Sequence, residues 1–162
     1  MSKTTTVKVS SVFNCSLERA FKTPMLCDIS KVHTGFLIMP KVTHSTNDEN
    51  WRKPGFSKKV FVKKTLIQKG GWASSHKVIE RIENQYCKIE ESDFQTWILG
   101  FAKFVGEWQT TQIDQHKILI EYTYTMHSNN SIFYTLNWIF TKFFWRIYMK
   151  RVMENVRIMA EG

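Results

Sequence analysis

Apolar and polar residues alternate through TTTVKVSSVF at positions 4–13, with Val7, Val9 and Phe13 on one parity, and this predicts an opening strand. Ser16 then offers an N-cap oxygen, and Leu17, Ala20 and Phe21 recur at helical spacing up to Pro24, which predicts a short helix ending there. Leu26, Ile29 and His33 fall on one side of a second short helix, closed by Gly35. From residue 36 to 127 the period becomes two. FLIMPKVTH reads as a strand carrying Pro40, hence an edge or a bulge. A polar loop is predicted from Thr43 to Gly55. Strands are predicted in SKKVFVKKTL, SSHKVIERIE, YCKIEESDF, AKFVGEWQTTQI and KILIEYTYTMH, separated by turn residues at Gly70-Gly71, Asn84-Gln85, Gly100 and Asp114-Gln115-His116. Strands joined by such short connections form an antiparallel meander.

After the capping candidates Ser128 to Ser131, no Pro or Gly interrupts the chain until Gly162, so the sequence predicts one terminal helix of about 30 residues, well above the usual length. Placed at roughly 100° per residue, Tyr134, Trp138, Thr141, Trp145, Met149, Val152, Val156 and Met159 make one full-length stripe, expected to lie on the sheet. The first half carries a second stripe of Ile132, Phe133, Leu136, Ile139, Phe140, Phe143, Phe144 and Ile147. Three readings of that stripe stay open: cover by the short helices or the cavity, a homodimer contact, or docking on an anionic membrane surface with Lys142, Arg146, Lys150 and Arg151 nearby. Asn137, Lys142 and Arg146 interrupt it, which argues against a transmembrane span.

The predicted class is therefore α+β: a curved antiparallel sheet wrapped around a long C-terminal helix, with two short helices after the first strand. The 162 residues suit a single domain, 1–162, and 43% apolar with 23% charged residues is an ordinary globular composition. Cys15, Cys27 and Cys87 cannot all pair and the N-terminus lacks an apolar leader, so a cytoplasmic location is expected. The net charge of +9 is unevenly spread. Residues 50–79 carry Arg52, Lys53, Lys58, Lys59, Lys63, Lys64, Lys69 and Lys77 without a carboxylate, whereas Glu80, Glu83, Glu90, Glu91 and Asp93 follow closely. Cross-strand pairing of the two segments is the expectation. The basic segment interleaves only Trp51, Phe56, Phe61 and Trp72, too sparse for a nucleic-acid stacking platform.

Candidate chemistry is concentrated in aromatics. Ile118, Ile120, Tyr122, Tyr124 and Met126 share a face, as do Phe104, Gly106, Trp108 and Thr110, with Gly106 expected to mark a bulge. If both faces point at the terminal helix, the predicted ligand-facing set is Trp97, Phe104, Trp108, Tyr122, Tyr124, Trp138 and Trp145, apolar walls with a few polar tips. Catalytic groups are only weakly indicated. His76 and Glu80 share a predicted strand face, and Glu91 with Asp93 near Trp97 forms a polar corner. No spacing calls for a metal or a cofactor, and no nucleophile elbow or phosphate loop is present.

The opening VKVSSVFNCSLERAF, the pair FVGEWQTTQI and KILIEYTYTM, and the terminal helix together resemble the SRPBCC superfamily, also called START-like or helix-grip, which includes polyketide cyclase-like and pollen-allergen-like domains. The resemblance spans nearly the whole chain through pattern alone. It implies a cavity between sheet and helix that holds lipids, polyketides or other apolar small molecules, used by some members for carriage and by others for cyclisation or dehydration. The superfamily shares no universal catalytic residue, so none is carried over. Binding or transport of an apolar ligand is the favoured expectation, with a cyclase or dehydratase-like enzyme and an anionic membrane-surface protein as its rivals.

Overall fold

A computed structural model describes residues 3–46 and 50–162. Its order is β1 (Lys3–Asn14), α1 (Leu17–Leu26), α2 (Ile29–Val32), β2 (Val42–Ser45), β3 (Ser57–Val62), β4 (Gly71–Ile82), β5 (Tyr86–Ser92), β6 (Phe101–Gln112) and β7 (Lys117–Ser128). The terminal helix opens with a 3-10 turn at Ser131–Phe133 and continues as α3 (Tyr134–Ile139), a π-helical segment Phe140–Trp145, and α4 (Arg146–Glu161). The seven strands form one antiparallel sheet in the order β1-β7-β6-β5-β4-β3-β2. No described helix is long and apolar enough to cross a membrane.

The inward faces follow the alternation in the sequence. Val7, Val9 and Phe13 of β1, Phe104 and Trp108 of β6, and Ile118, Ile120 and Met126 of β7 are buried against Trp145, Met149, Val152 and Val156 of the helix. Ser16 caps α1 by accepting from the Arg19 amide at 3.3 Å, and Asn130 caps the terminal helix by accepting from the Ile132 amide at 2.9 Å. The side-chain amide of Asn155 donates to the Val32 carbonyl at 2.8 Å, fastening α2 to α4.

Several expectations need correction. Pro24 does not end α1, which runs on to Leu26. FLIMPKVTH is not one strand. Phe36 and Met39 exchange backbone hydrogen bonds of 2.9 and 2.8 Å around Leu37-Ile38, and β2 begins only at Val42, beyond Pro40. The polar loop read over 43–55 overlaps β2, which runs on to Ser45, and its positions 47–49 lie outside the described residues. Gly106 sits in continuous register on both sides, opposite Tyr124 and Ile89, with no bulge. A Cβ there would stand 3.2 Å from Tyr124 Cζ, so glycine leaves room for the ring. The basic and acidic segments are not ion-paired to each other among the described residues: Glu90 binds Lys103 at 2.8 Å, and Glu83 binds Arg81 at 2.7 Å.

The π-helical segment changes the helix phase. It holds more residues per turn than an α-helix, so everything before it is rotated relative to a uniform projection. Asn137 is therefore 1% exposed and Trp138 is 43% exposed, the reverse of the predicted stripe. Of the second stripe, Phe140 is buried and Phe144 packs at 5.5 Å on Phe36, while Ile132, Leu136, Ile139, Phe143 and Ile147 stay exposed.

Candidate functional site

Between sheet, terminal helix and turns lies a cavity of about 310 Å³. Its apolar walls come from Val60 and Val62 of β3, Phe104 of β6, and Phe140 and Trp145 of the helix, with Ile38, Ile67 and Trp97 at its rim. A smaller space of about 80 Å³ lies further in, against Trp108, Tyr122, Val152, Val156 and Lys58. Ile29, His33, His76, Glu91 and Tyr124 border both spaces, so a largely polar partition separates them.

Strand register builds that partition. His76 of β4 stands directly opposite Glu91 of β5 because the pairing shifts by one residue between Val78 and Glu80. Glu91 Oε1 accepts a very short hydrogen bond from the Tyr124 hydroxyl, which in turn accepts from Tyr122 at 3.0 Å. Glu91 Oε2 is 3.7 Å from His76 Nε2. On the opposite side, His33 follows directly on α2 and shares a 2.7 Å hydrogen bond between Nδ1 and the Tyr148 hydroxyl.

Burial sets the charge states. Desolvation raises the Glu91 carboxyl above its ordinary range, opposed first by the Tyr124 hydrogen bond and less by the Lys58 charge. Desolvation, helped by Lys58, pushes His76 down to about 3, and desolvation takes His33 to about 4. Both imidazoles are thus neutral at physiological pH, and the His76–Glu91 contact is not an ion pair. Lys58 is lowered to about 8 by desolvation, and its Nζ sits 4.2 Å over the Trp51 ring. Burial also raises the Tyr122, Tyr124 and Tyr148 hydroxyls, which remain protonated donors. The indole N–H groups of Trp108 and Trp145 are buried with no partner among the described residues. The interior can therefore meet an apolar body with neutral imidazoles and tyrosine hydroxyls gathered around one carboxyl.

Of the residues singled out by sequence, Phe104, Tyr124 and Trp145 line the larger space, Trp108, Tyr122 and Tyr124 the smaller, and Trp97 the rim, where it is 66% exposed. Trp138 lines neither; the π-helical phase shift turns it outward. His76 is in the partition, but Glu80 is not beside it. The register shift after Val78 leaves Ile79 and Glu80 both exposed, breaking the strict alternation that placed them together. Asp93 lies just past β5 with φ 55°, exposed, and is not part of the cavity. His33, Lys58 and Tyr148 were missed. Lys58 had a legible signal, since it shares parity with the buried Val60 and Val62. Among the described residues no cluster of His, Cys, Asp or Glu could hold a metal.

No protein-family model matches this sequence, and no curated protein matches it either. Solved structures do. Ara h 8.0201 superposes with a TM-score of 0.69 at 14% identity, covering 98% of each chain. Norcoclaurine synthase from Thalictrum flavum, in complex with dopamine and hydroxybenzaldehyde, gives 0.65 at 9% identity over 99% of this chain and 90% of its own. The di-domain ARO/CYC protein StfQ from the steffimycin biosynthetic pathway gives 0.70 at 9% identity, over 98% of this chain and 51% of its own. At such identities the likeness is one of fold.

Proposed function

We propose, taking as premise the helix-grip fold that this chain has in common with SRPBCC and Bet v 1-like proteins, that the chain is a one-domain binding protein for an apolar small molecule. The ligand body would occupy the larger space and its polar end would reach the partition. The observation that carries this reading is the cavity itself. Its ~310 Å³ falls at the lower end of the roughly 300–1,000 Å³ usual for small-molecule sites. Apolar walls there meet His76, Glu91 and Tyr124 at one level. Burying ligand surface contributes roughly 25 cal/mol per Å² before the cost of association. The occupied site of norcoclaurine synthase, which holds dopamine and hydroxybenzaldehyde, supports small aromatic ligands as the first class to try.

Titration with 1-anilinonaphthalene-8-sulfonate tests it. Saturable binding at one probe per chain is expected, weakened about tenfold by Ala73→Phe, which pushes bulk into the larger space. Linear, unsaturable fluorescence unaffected by that substitution would overturn the reading.

A second reading, acid–base catalysis on the bound molecule, rests on one feature. His76 and the Glu91–Tyr124 pair converge on one level of the cavity and are residue types that can accept or donate a proton. Turnover of a bound carbonyl compound that is lost in Glu91→Gln, with probe affinity retained, would select it over carriage.

A further inference from the structure

The rim of the cavity is built against ordinary turn chemistry. Two-residue turns normally carry Asn, Asp or Gly, which are polar and tolerate positive φ. Here one turn places Leu37-Ile38 at its tip, with Leu37 at φ 50° and 79% exposed. A second places Leu66-Ile67 at its tip, closed by Thr65 N–H donating to the Gln68 carbonyl at 2.9 Å, with Leu66 fully exposed. The two stems are joined by a hydrogen bond from the Lys63 amide to the Lys41 carbonyl at 2.8 Å, so the tips belong to one edge. Ile38 and Ile67 line the cavity, whereas Leu37 and Leu66 do not and are exposed. Trp97, edge-on to Phe133 at 5.4 Å, continues the rim toward the exposed helix stripe.

Among the described residues, the charge flanking the two tips has one sign. Lys41, Lys63, Lys64 and Lys69 flank the tips, all exposed, and none is in an ion pair among the described residues. The stretches 29–46 and 50–79, which carry both tips, contain no Asp or Glu; along the chain from Trp97 the nearest is Asp93. Apolar tips encircled by lysine stems fit a surface that is negatively charged outside and hydrocarbon beneath. A second copy of this chain would bring the same lysines against each other, and a nucleic acid would find leucine where it needs stacking rings.

We propose that this rim is a docking surface for an anionic lipid bilayer, the Leu37-Ile38 and Leu66-Ile67 tips entering among the headgroups and the stem lysines meeting the phosphates. The docking does not rest on what the cavity holds.

Co-sedimentation of the full chain with phosphatidylcholine vesicles, with and without about one-third phosphatidylserine, tests it at low ionic strength. Partitioning onto the anionic vesicles should exceed that onto neutral ones by at least about tenfold and fall steeply with added salt. The double variant Leu37→Asp with Leu66→Asp should lose at least about tenfold of that partitioning. Both positions lie outside the cavity, so its anilinonaphthalene titration should match wild type; that readout reports folding and the ligand-binding proposal separately. Wild-type protein left in the supernatant with both vesicle types, or a double variant that partitions like wild type, would overturn the assignment. So would a wild-type dimer in light scattering that the double variant converts to monomer, since the tips would then belong to a second copy.

Discussion

Glu91 shows how a single carboxyl is governed by what surrounds it. Its side chain is only 13% accessible, it accepts from Tyr124, and burial raises its pKa. A carboxyl whose folded pKa lies above its unfolded value favours folding fully below the unfolded value, and that contribution is lost as pH rises through the folded one. Glu91→Gln keeps an acceptor for Tyr124 and removes the charge. Urea denaturation should find this variant more stable than wild type by about 1 kcal/mol at pH 8, with the gap closing toward pH 4.5. A variant less stable than wild type at pH 8 would mean that the charge is well solvated or firmly paired. The aromatic walls were legible at this scale because period-two alternation assigns Phe104, Trp108, Tyr122 and Tyr124 to inward faces without knowledge of partners. The His76–Glu91 pair was not, because it depends on a one-residue register shift after Val78 that hydrophobic alternation does not announce.

At the scale of elements, most of the meander could be read because its turns carry Gly, Asn and Asp at the expected places, whereas the Leu-Ile turns broke that chemistry and hid the true start of β2. The terminal helix was visible in length and wrong in phase. A sequence projection assumes uniform α-helical geometry, and the π-helical segment Phe140–Trp145 breaks that assumption where Thr141 is anchored by hydrogen bonds of 2.7 Å to Thr5 and to the Asn137 carbonyl. A pair of substitutions separates the two phases. Trp145→Ala should cost about 3–5 kcal/mol, since this ring is 4% exposed and meets Phe104, Tyr124 and Tyr148. Trp138→Ala should cost less than about 1 kcal/mol, its ring touching only the exposed Phe143 among the described aromatic contacts. Equal losses in thermal or urea unfolding would restore the uniform stripe.

Taken as a whole, the molecule closes a sheet over a helix and leaves polar groups inside, and its stability must therefore follow pH. His33 and His76 are ordinary imidazoles in the unfolded chain but are lowered to about 4 and about 3 when folded, chiefly by desolvation. Between those values and 6.5 the unfolded state binds more protons, so stability is full above pH 6.5 and is lost as pH falls. Each imidazole contributes a slope of up to about 1.4 kcal/mol per pH unit. Glu91 acts in the opposite sense, regaining stability as pH falls through its raised pKa. One carboxyl against two imidazoles leaves the net slope positive between pH 5 and 6.5. Lys58, lowered to about 8, contributes no slope there because it is protonated in both states. The urea midpoint should consequently drop from pH 6.5 to 5, and His76→Gln, which cannot be protonated, should reduce that drop by close to half. A midpoint constant across this window would mean that the imidazoles reach solvent in the folded protein, and with them the partition that divides the cavity would be open to water.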